Sequence, residues 1–174
     1  MKVYDCFTFY NEFELLELRL ESLYDVVDYF VIVEADKNHI NEPKEYNFLA
    51  RQNDYRKYFP KIRYMQMKFN APFKGAGDWS IENGQRNAIM HGINDAQPDD
   101  LIFISDLDEI PAPDVISRIR DDRATVVMPY WHPLNGGGGG QDNAMSFTVF
   151  SQTTFGDRTD RHATAFSCLS FEYV

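Results

Sequence analysis

Asp106 and Asp108 are the two residues of this chain whose type and spacing most clearly favour chemistry. They follow the apolar run at 101–104, which is typical of a strand buried on both faces of a parallel sheet. If the backbone stays extended, both carboxylates project to one side and Leu107 points to the core. Glu109 adds a third acid to the cluster. A hard divalent cation most simply offsets the repulsion among these carboxylates, so the cluster predicts a Mg²⁺ or Mn²⁺ site.

This predicted cation indicates a class of ligand. Ligands of open α/β sheets collect beyond the carboxyl ends of the strands, where Asp106 and Asp108 are expected to lie. A cation held by one or two carboxylates completes its shell with waters and phosphate oxygens, which points to a nucleotide or another phosphorylated substrate. The alternative is a polar strand end that only leads into the proline-containing turn at 110–113.

Composition limits the class of protein and its partners. A chain of 174 residues with 44% apolar and 15% aromatic residues predicts one globular domain with a substantial core. The formal net charge of −10 disfavours binding to nucleic acid or to an anionic membrane, so neither is expected as a partner. No signal peptide or transmembrane segment is visible, and a cytoplasmic location is therefore expected. The consecutive glycines at 136–140 predict a flexible or engineered linker within a single domain at 1–174.

Strand-like and helix-like patterns alternate along the chain. This alternation predicts an α/β fold in which helices flank a mostly parallel central sheet. In the first helix, Asn11 is expected to be the N-cap with Glu14 at capping-box spacing, and Arg19 is expected to face away from the sheet. The predicted strands lie at 3–9, 28–36, 62–67, 101–104, 125–131 and 144–150, and the predicted helices at 11–23, 45–58, 80–96 and 113–120.

Two further acids, Glu34 and Asp36, come at the end of the second predicted strand. Parallel strands end at one edge of a sheet, so these side chains are candidates for the same crevice as Asp106. An acid in this position can accept hydrogen bonds from a base or a ribose. The alternative for each is a strand-end carboxylate that simply meets water.

The predicted helix at 80–96 carries Arg86 in its first half, and Trp79 immediately precedes it. Arg86 is a candidate phosphate ligand because the guanidinium fork matches phosphate oxygens. The alternative is an ion pair with Glu82, four residues earlier. Trp79 either stacks on a base or sugar or anchors its loop to the core.

Three motifs in order resemble glycosyltransferase family 17: Asp5-Cys6-Phe7-Thr8-Phe9-Tyr10-Asn11-Glu12 with Leu15, Leu18 and Arg19, then Val31-Ile32-Val33-Glu34-Ala35-Asp36 and finally Ile104-Ser105-Asp106-Leu107-Asp108-Glu109-Ile110-Pro111. The similarity spans residues 3 to 131. It implies a GT-A-like, Rossmann-like fold and transfer of a sugar, expected to be N-acetylglucosamine, from a UDP-sugar donor to a glycan or other saccharide acceptor, as in N-glycan processing. It also implies Mn²⁺ or Mg²⁺ as the cofactor.

The resemblance also implies roles for individual residues. Asp106 and Asp108 resemble a DxD motif, with Asp108 expected to link the metal to the diphosphate. Glu34 resembles an acid that contacts uridine, and Arg86 resembles a contact to the donor phosphates. Asp36 and Asp106 complete the expected donor-binding set. No catalytic base is implied.

The chain also departs from this family. Members tend to be longer and carry a Trp-His-Phe-Ser-like segment, whose histidine is expected to help at the metal. Ala165 stands at that position here, and His162 is the nearest histidine. A nucleotide-sugar-binding module without turnover is therefore one alternative. A phosphoryl-transfer enzyme that uses Asp106 and Asp108 is another, although such enzymes usually carry the motif on an early strand.

Overall fold

A computed structural model describes residues 1–75 and 77–121, together with the backbone of two short strands further along the chain. The described part contains one sheet, and four of its strands run parallel. Two later strands extend the sheet in antiparallel pairing. The predicted α/β fold with a mostly parallel sheet is confirmed. The strands are β1 Val3–Thr8, β2 Tyr29–Ala35, β3 Ile62–Met67, β4 Leu101–Ile104, β5 Ser146–Phe150 and β6 Leu169–Ser170.

The helices correspond to the predicted segments, with changes at their ends. The segment predicted as one helix at 45–58 is an α-helix followed by a 3-10 helix, with Tyr55 outside helical geometry. The third helix ends at Gly92 rather than Ala96. The helices are α1 Phe13–Leu23, α2 Asn47–Arg51, the 3-10 helix Gln52–Tyr58, α3 Ser80–Gly92 and α4 Pro113–Asp121.

The predicted N-cap of α1 is wrong. The helix begins at Phe13, and the preceding residue, Glu12, makes no side-chain cap. Its carboxylate instead accepts hydrogen bonds from the backbone N–H groups of Tyr10 and Asn11, at 3.3 and 3.0 Å. A carboxylate one residue past Asn11 therefore satisfies the amides that lead into the helix, and Asn11 lies outside it.

The strand order is β3-β2-β1-β4-β5-β6. The chain therefore builds outward from β1 to β3 and then returns to place β4 on the other side of β1. This reversal leaves a crevice between the carboxyl ends of β1 and β4, which is the usual ligand position in a doubly wound sheet. The acidic cluster directly follows β4, so the topology brings it to this crevice.

Side chains on the two faces of β1 alternate between two cores. Val3 and Phe7 lie in the core beneath α1, where the helix contributes its buried stripe Leu16, Leu20 and Leu23. Tyr4 and Cys6 lie in the opposite core beneath α3, with Ile89 and Ile93. Helices thus cover both faces, as the continuous apolar runs of the parallel strands require.

The later predictions lie partly outside the described residues. The strand predicted at 125–131, the glycine run at 136–140, His162 and Ala165 all fall there.

Close packing of α3 on β2 yields a prediction about Gly92. A Cβ added at Gly92 would overlap Cγ1 of Val31, a stiff β-branched side chain in the core. We expect Gly92→Ala to lower the free energy of unfolding by about 1–3 kcal/mol in urea denaturation.

Gly84→Ala is the matched control on the same helix. Its added Cβ would lie 3.1 Å from Sδ of Met67, a flexible side chain. We expect this variant to be neutral or stabilising by up to about 1 kcal/mol, because alanine favours a helix interior. Equal stability losses in the two variants would contradict the packing explanation.

Candidate functional site

A cavity of about 390 Å³ opens at the carboxyl ends of β1, β2 and β4. Its size is within the range of small-molecule sites, roughly 300–1,000 Å³. Four segments form its wall: the end of β1 into α1, the loop after β2, the first turns of α3 and the acidic segment after β4. The lining residues are Thr8, Phe9, Tyr10, Glu12, Leu15, Lys37, Asn38, His39, Lys44, Ile81, Glu82, Gln85, Asp106, Leu107 and Asp108.

The acidic segment is a turn rather than the extended strand end expected from the sequence. The Glu109 N–H donates to the Asp106 carbonyl at 3.1 Å, which closes the turn. Asp106 and Asp108 are exposed and line the cavity, whereas Leu107 is buried. The predicted division between outward acids and inward leucine is therefore correct, although a turn produces it. Glu109 folds back and accepts the Asp106 N–H at 3.2 Å.

A fully buried ion pair lies directly beneath this turn. Arg19 in α1 and Asp5 in β1 are both 0% exposed. The guanidinium donates two parallel hydrogen bonds to the carboxylate, from Nε to Oδ2 at 2.9 Å and from Nη2 to Oδ1 at 2.7 Å. It also lies over the Phe7 ring at 4.5 Å. The expectation that Arg19 faces away from the sheet is wrong, because Asp5 projects from the same face of β1 as Val3 and Phe7.

The remaining donors of Arg19 reach the turn itself. Nη1 donates to the backbone carbonyls of Asp106, Leu107 and Glu109 at 2.7, 3.0 and 3.2 Å. Nη2 also donates to Oγ of Ser105 at 2.7 Å. One guanidinium therefore connects β1, α1 and the acidic turn.

Arg86 pairs with Asp106 rather than with Glu82. Its Nη2 lies 2.6 Å from Oδ1 of Asp106, and the two side chains are 49% and 56% exposed. Exposed pairs of this kind contribute about 0–1 kcal/mol. Within the described residues, Oε2 of Glu82 is buried yet has no hydrogen-bond partner.

Glu34 lies in the core and does not line the cavity. It is fully buried, and its two oxygens accept hydrogen bonds from four donors. These donors are Nζ of Lys44 at 2.5 Å, the backbone N–H groups of Asn47 and Phe48 at 2.6 and 3.1 Å, and the Tyr64 hydroxyl at 2.7 Å. Burial and the Glu34 carboxylate raise the pKa of Tyr64, which keeps the phenol protonated as a donor. The structure thus gives Glu34 a role in fastening α2 and β3 to β2.

Asp36 and Trp79 also lie outside the cavity lining. Asp36 is half-buried and accepts the Phe69 N–H at 2.9 Å. Trp79 is 67% exposed, so it does not anchor its loop to the core. Of the five predicted donor and metal residues, the structure brings Asp106 and Asp108 into the cavity wall and joins Arg86 to Asp106.

Several cavity residues were missed by the sequence reasoning. Thr8 and Glu12 flank the end of β1, and Lys37 and Lys44 lie in the loop after β2. The available signal was their position at the end of a predicted strand or in the loop that follows it, since such segments gather at the same edge of a parallel sheet. Lys37 and the acidic turn thus line the same cavity, and Lys44 lies there as the partner of Glu34.

The acidic turn fits one kind of metal site. No cluster of three or more His, Cys, Asp or Glu residues suited to a metal ion occurs at 1–75 or 77–121. The two exposed carboxylates Asp106 and Asp108 nevertheless offer the hard oxygen ligands that Mg²⁺ prefers, and such a cation commonly uses only one or two carboxylates plus phosphates and water. The residues therefore fit a cation shared with a phosphorylated ligand rather than a cation enclosed by protein.

Comparison with known proteins assigns the family. The family model for glycosyltransferase family 17 matches residues 1–128. This chain belongs to glycosyltransferase family 17. The resemblance identified from the three sequence motifs is therefore confirmed. The matched residues include the ion pair of Asp5 with Arg19 and the acidic turn.

Curated relatives of this family 17 chain include the β-1,4-mannosyl-glycoprotein 4-β-N-acetylglucosaminyltransferases of Homo sapiens and Rattus norvegicus, each 28% identical over 116 residues. The Mus musculus protein of the same name is 27% identical over 116 residues. Each alignment covers 63% of this chain and 22% of the relative. The chain thus aligns with about a fifth of the length of these relatives. No helix within the described ranges is long and apolar enough to cross a membrane.

The environment of Glu34 predicts a stability effect. Glu34→Gln removes the charge that receives four donors and places an amide NH₂ against some of them. We expect the free energy of unfolding to fall by about 3 kcal/mol in urea denaturation, as for other broken buried ion pairs.

Asp36→Asn is the matched control, because Asp36 accepts one backbone hydrogen bond and is only half-buried. We expect it to cost less than about 1.5 kcal/mol. Unchanged stability in Glu34→Gln together with weaker nucleotide binding would instead identify Glu34 as a ligand-binding residue.

Proposed function

We propose that this family 17 chain transfers a sugar, N-acetylglucosamine, from a UDP-sugar donor to a hydroxyl of a glycan acceptor with the help of Mn²⁺ or Mg²⁺. The observation that carries the proposal is the placement of Asp106 and Asp108 on the wall of the cavity between β1 and β4. The activity for which the human and rat relatives are named supports the donor sugar and a mannose-containing acceptor. Family membership favours sugar transfer over phosphoryl transfer.

In this proposal Asp106 and Asp108 hold the cation, and Arg86 contacts the donor phosphates. The bound cation would supply positive charge to stabilise the diphosphate as it leaves the sugar. The Arg86–Asp106 pair is exposed and therefore weak. Each of the two side chains can leave the other and contact a ligand at little cost in free energy. Lys37 adds positive charge to the cavity wall in an otherwise acidic protein, whereas the charge of Lys44 is paired with Glu34.

We assign the removal of the acceptor proton to Glu82. Transfer to a hydroxyl requires a group that takes its proton, and a carboxylate within hydrogen-bond reach can do so. Among the cavity acids, Glu12 accepts backbone N–H groups and Asp106 pairs with Arg86. Glu82 lines the cavity in the first turn of α3, and its buried Oε2 accepts no hydrogen bond within the described residues. A rotation of the Glu82 side chain into the cavity would bring this oxygen to a substrate hydroxyl, which would satisfy it.

The proposed cation site predicts the behaviour of Asp108→Asn. We expect this variant to lose the part of UDP-GlcNAc affinity that depends on Mn²⁺ while keeping its stability within about 0.5 kcal/mol, because Asp108 is exposed. Isothermal titration calorimetry with and without Mn²⁺ measures the affinity.

Asp114→Asn serves as the control, because this acid is 72% exposed and lies in α4 outside the cavity lining. It should bind UDP-GlcNAc as the unaltered protein does. If Asp108→Asn retains full Mn²⁺-dependent binding, the assignment of Asp108 is wrong. If the unaltered protein binds UDP-GlcNAc but releases no UDP with acceptor present, the chain is a binding module.

The role of Glu82 predicts a specific kinetic change. In an assay of UDP release with a mannose-containing glycan acceptor, Glu82→Gln should lower kcat by roughly 10²–10⁴-fold, the usual contribution of a general base. The acceptor KM should change little, since the amide can still contact the hydroxyl.

Glu14→Gln provides the control, because Glu14 occupies the first turn of α1 but does not line the cavity. Its kcat should match that of the unaltered protein. A raised acceptor KM with unchanged kcat in Glu82→Gln would show that Glu82 binds the hydroxyl without taking its proton.

A further inference from the structure

We propose that Arg19 is a positioning residue: it fixes the turn at 106–109 so that Asp106 and Asp108 face the cavity in the orientation that binds cation and diphosphate. The inference rests on the proposed function of the acidic turn. It extends that function to a residue that lies outside the cavity and is fully buried.

The carbonyls of the acidic turn converge on one nitrogen of Arg19. Three backbone carbonyls, those of Asp106, Leu107 and Glu109, accept hydrogen bonds from Nη1 of Arg19 within 2.7–3.2 Å. Each C=O bond lies in the plane of its peptide group, so fixing the direction of the bond restricts the orientation of that plane. With three carbonyls held on one side of the turn, the intervening side chains project to the other side. The turn therefore presents its acids on the side opposite Arg19.

The Arg19 guanidinium is held in place by contacts on several sides. Its bidentate pair with Asp5 ties it to β1, its backbone belongs to α1, and the Phe7 ring covers its face. A planar fork can pair with a carboxylate along one edge while donating to carbonyls from another. A lysine ammonium lacks this geometry and cannot satisfy both sets of acceptors at their present positions.

The formation of the turn and its orientation depend on different hydrogen bonds. Two hydrogen bonds lie within the turn, from the Glu109 N–H to the Asp106 carbonyl and from the Asp106 N–H to the Glu109 carboxylate. These bonds do not involve Arg19, so the turn can still form without it, but once it is released from Arg19 it opens more often and its amides exchange faster. The exposed Arg86–Asp106 pair is too weak to hold the turn against β1. The Ser105 N–H donates to the Cys6 carbonyl at 3.3 Å and the Ser105 hydroxyl to the Glu109 carbonyl at 3.1 Å, which ties the start of the segment to β1. Arg19 adds the attachment of the Asp106 and Leu107 carbonyls and of Ser105 Oγ.

The test compares two variants that remove the attachment in different ways. Arg19→Lys keeps the positive charge but loses the fork. The double variant Asp5→Asn with Arg19→Met removes both charges, and neutral replacement of a buried ion pair commonly preserves or restores stability. We expect both variants to bind UDP more weakly in the presence of Mn²⁺ by roughly 10–100-fold, the effect seen when partners that orient metal ligands are removed. We also expect faster hydrogen exchange at the Asp106 and Glu109 amides.

Leu23→Ala is the control for a general loss of stability. Leu23 is buried in the same helix, at the end remote from the acidic turn, because α1 begins beside the carboxyl end of β1 and runs back along the sheet. It should lower the unfolding midpoint while leaving both UDP affinity and exchange at Asp106 and Glu109 unchanged in the folded protein. The binding and exchange measurements are made in denaturant-free buffer at a temperature at which each variant is folded.

The outcomes distinguish this inference from the proposed function. If the unaltered protein binds no UDP with Mn²⁺, the proposed function fails, and unchanged exchange at the two amides in the Arg19 variants would separately overturn the positioning role. If the unaltered protein binds but the stable double variant binds equally well, Arg19 serves stability alone and the inference is wrong. Loss of affinity in Leu23→Ala equal to that in Arg19→Lys would also overturn it.

Discussion

The buried Asp5–Arg19 pair is the constraint on which the arrangement of the site depends. Removing two charges from water is costly, and such a pair persists only when its geometry is good and its remaining donors are satisfied. Here Arg19 makes six hydrogen bonds, to Asp5, to Ser105 and to three carbonyls of the acidic turn. The pair can be satisfied only if β1, α1 and the segment after β4 come together. Folding of the first core therefore also places the acids beside the crevice.

The sheet order gives this pair its functional consequence. Because β4 returns to lie beside β1, the carboxyl ends of both strands border one cavity. The ionic side chains near the site fall into a buried group and an exposed group. Asp5, Arg19 and Glu34 are fully buried and satisfied by the protein, whereas Asp106, Asp108 and Arg86 are exposed and can exchange their partners. The buried group shapes the site, and the exposed group is available to ligand.

The sequence predicted most of the sheet and the acids of the site for physical reasons. Continuous apolar runs identified the strands buried on both faces, and the acids after 101–104 could lie only near the carboxyl end of a strand. The same reasoning failed for Glu34, which has a similar pattern but lies within β2 rather than beyond it. Its side chain therefore follows the alternation of the strand into the core. Sequence alone does not locate the end of a strand to within one residue. An error of one residue decides whether a side chain such as Glu34 projects into the core or into the cavity.

The burial and contacts of Arg19 were not predicted, although two signals were present. Asp5 lies between Val3 and Phe7 at the period of a strand, and Arg19 lies on the stripe of Leu16, Leu20 and Leu23 at the period of a helix. Each pattern places a charge in the same core, and together they indicate a pair. The sequence could not reveal the third partner, the backbone carbonyls of the acidic turn, because every residue has a backbone carbonyl. The contact to the acidic turn became visible only in three dimensions.

A crystal structure of this chain grown with UDP and Mn²⁺ tests the central claim most directly. The account predicts electron density for a cation between the Asp106 and Asp108 carboxylates and the diphosphate, in the cavity between β1 and β4, with the turn still held on Arg19. A nucleotide bound at another surface, or a diphosphate in this cavity with both carboxylates turned away from it, would contradict the account.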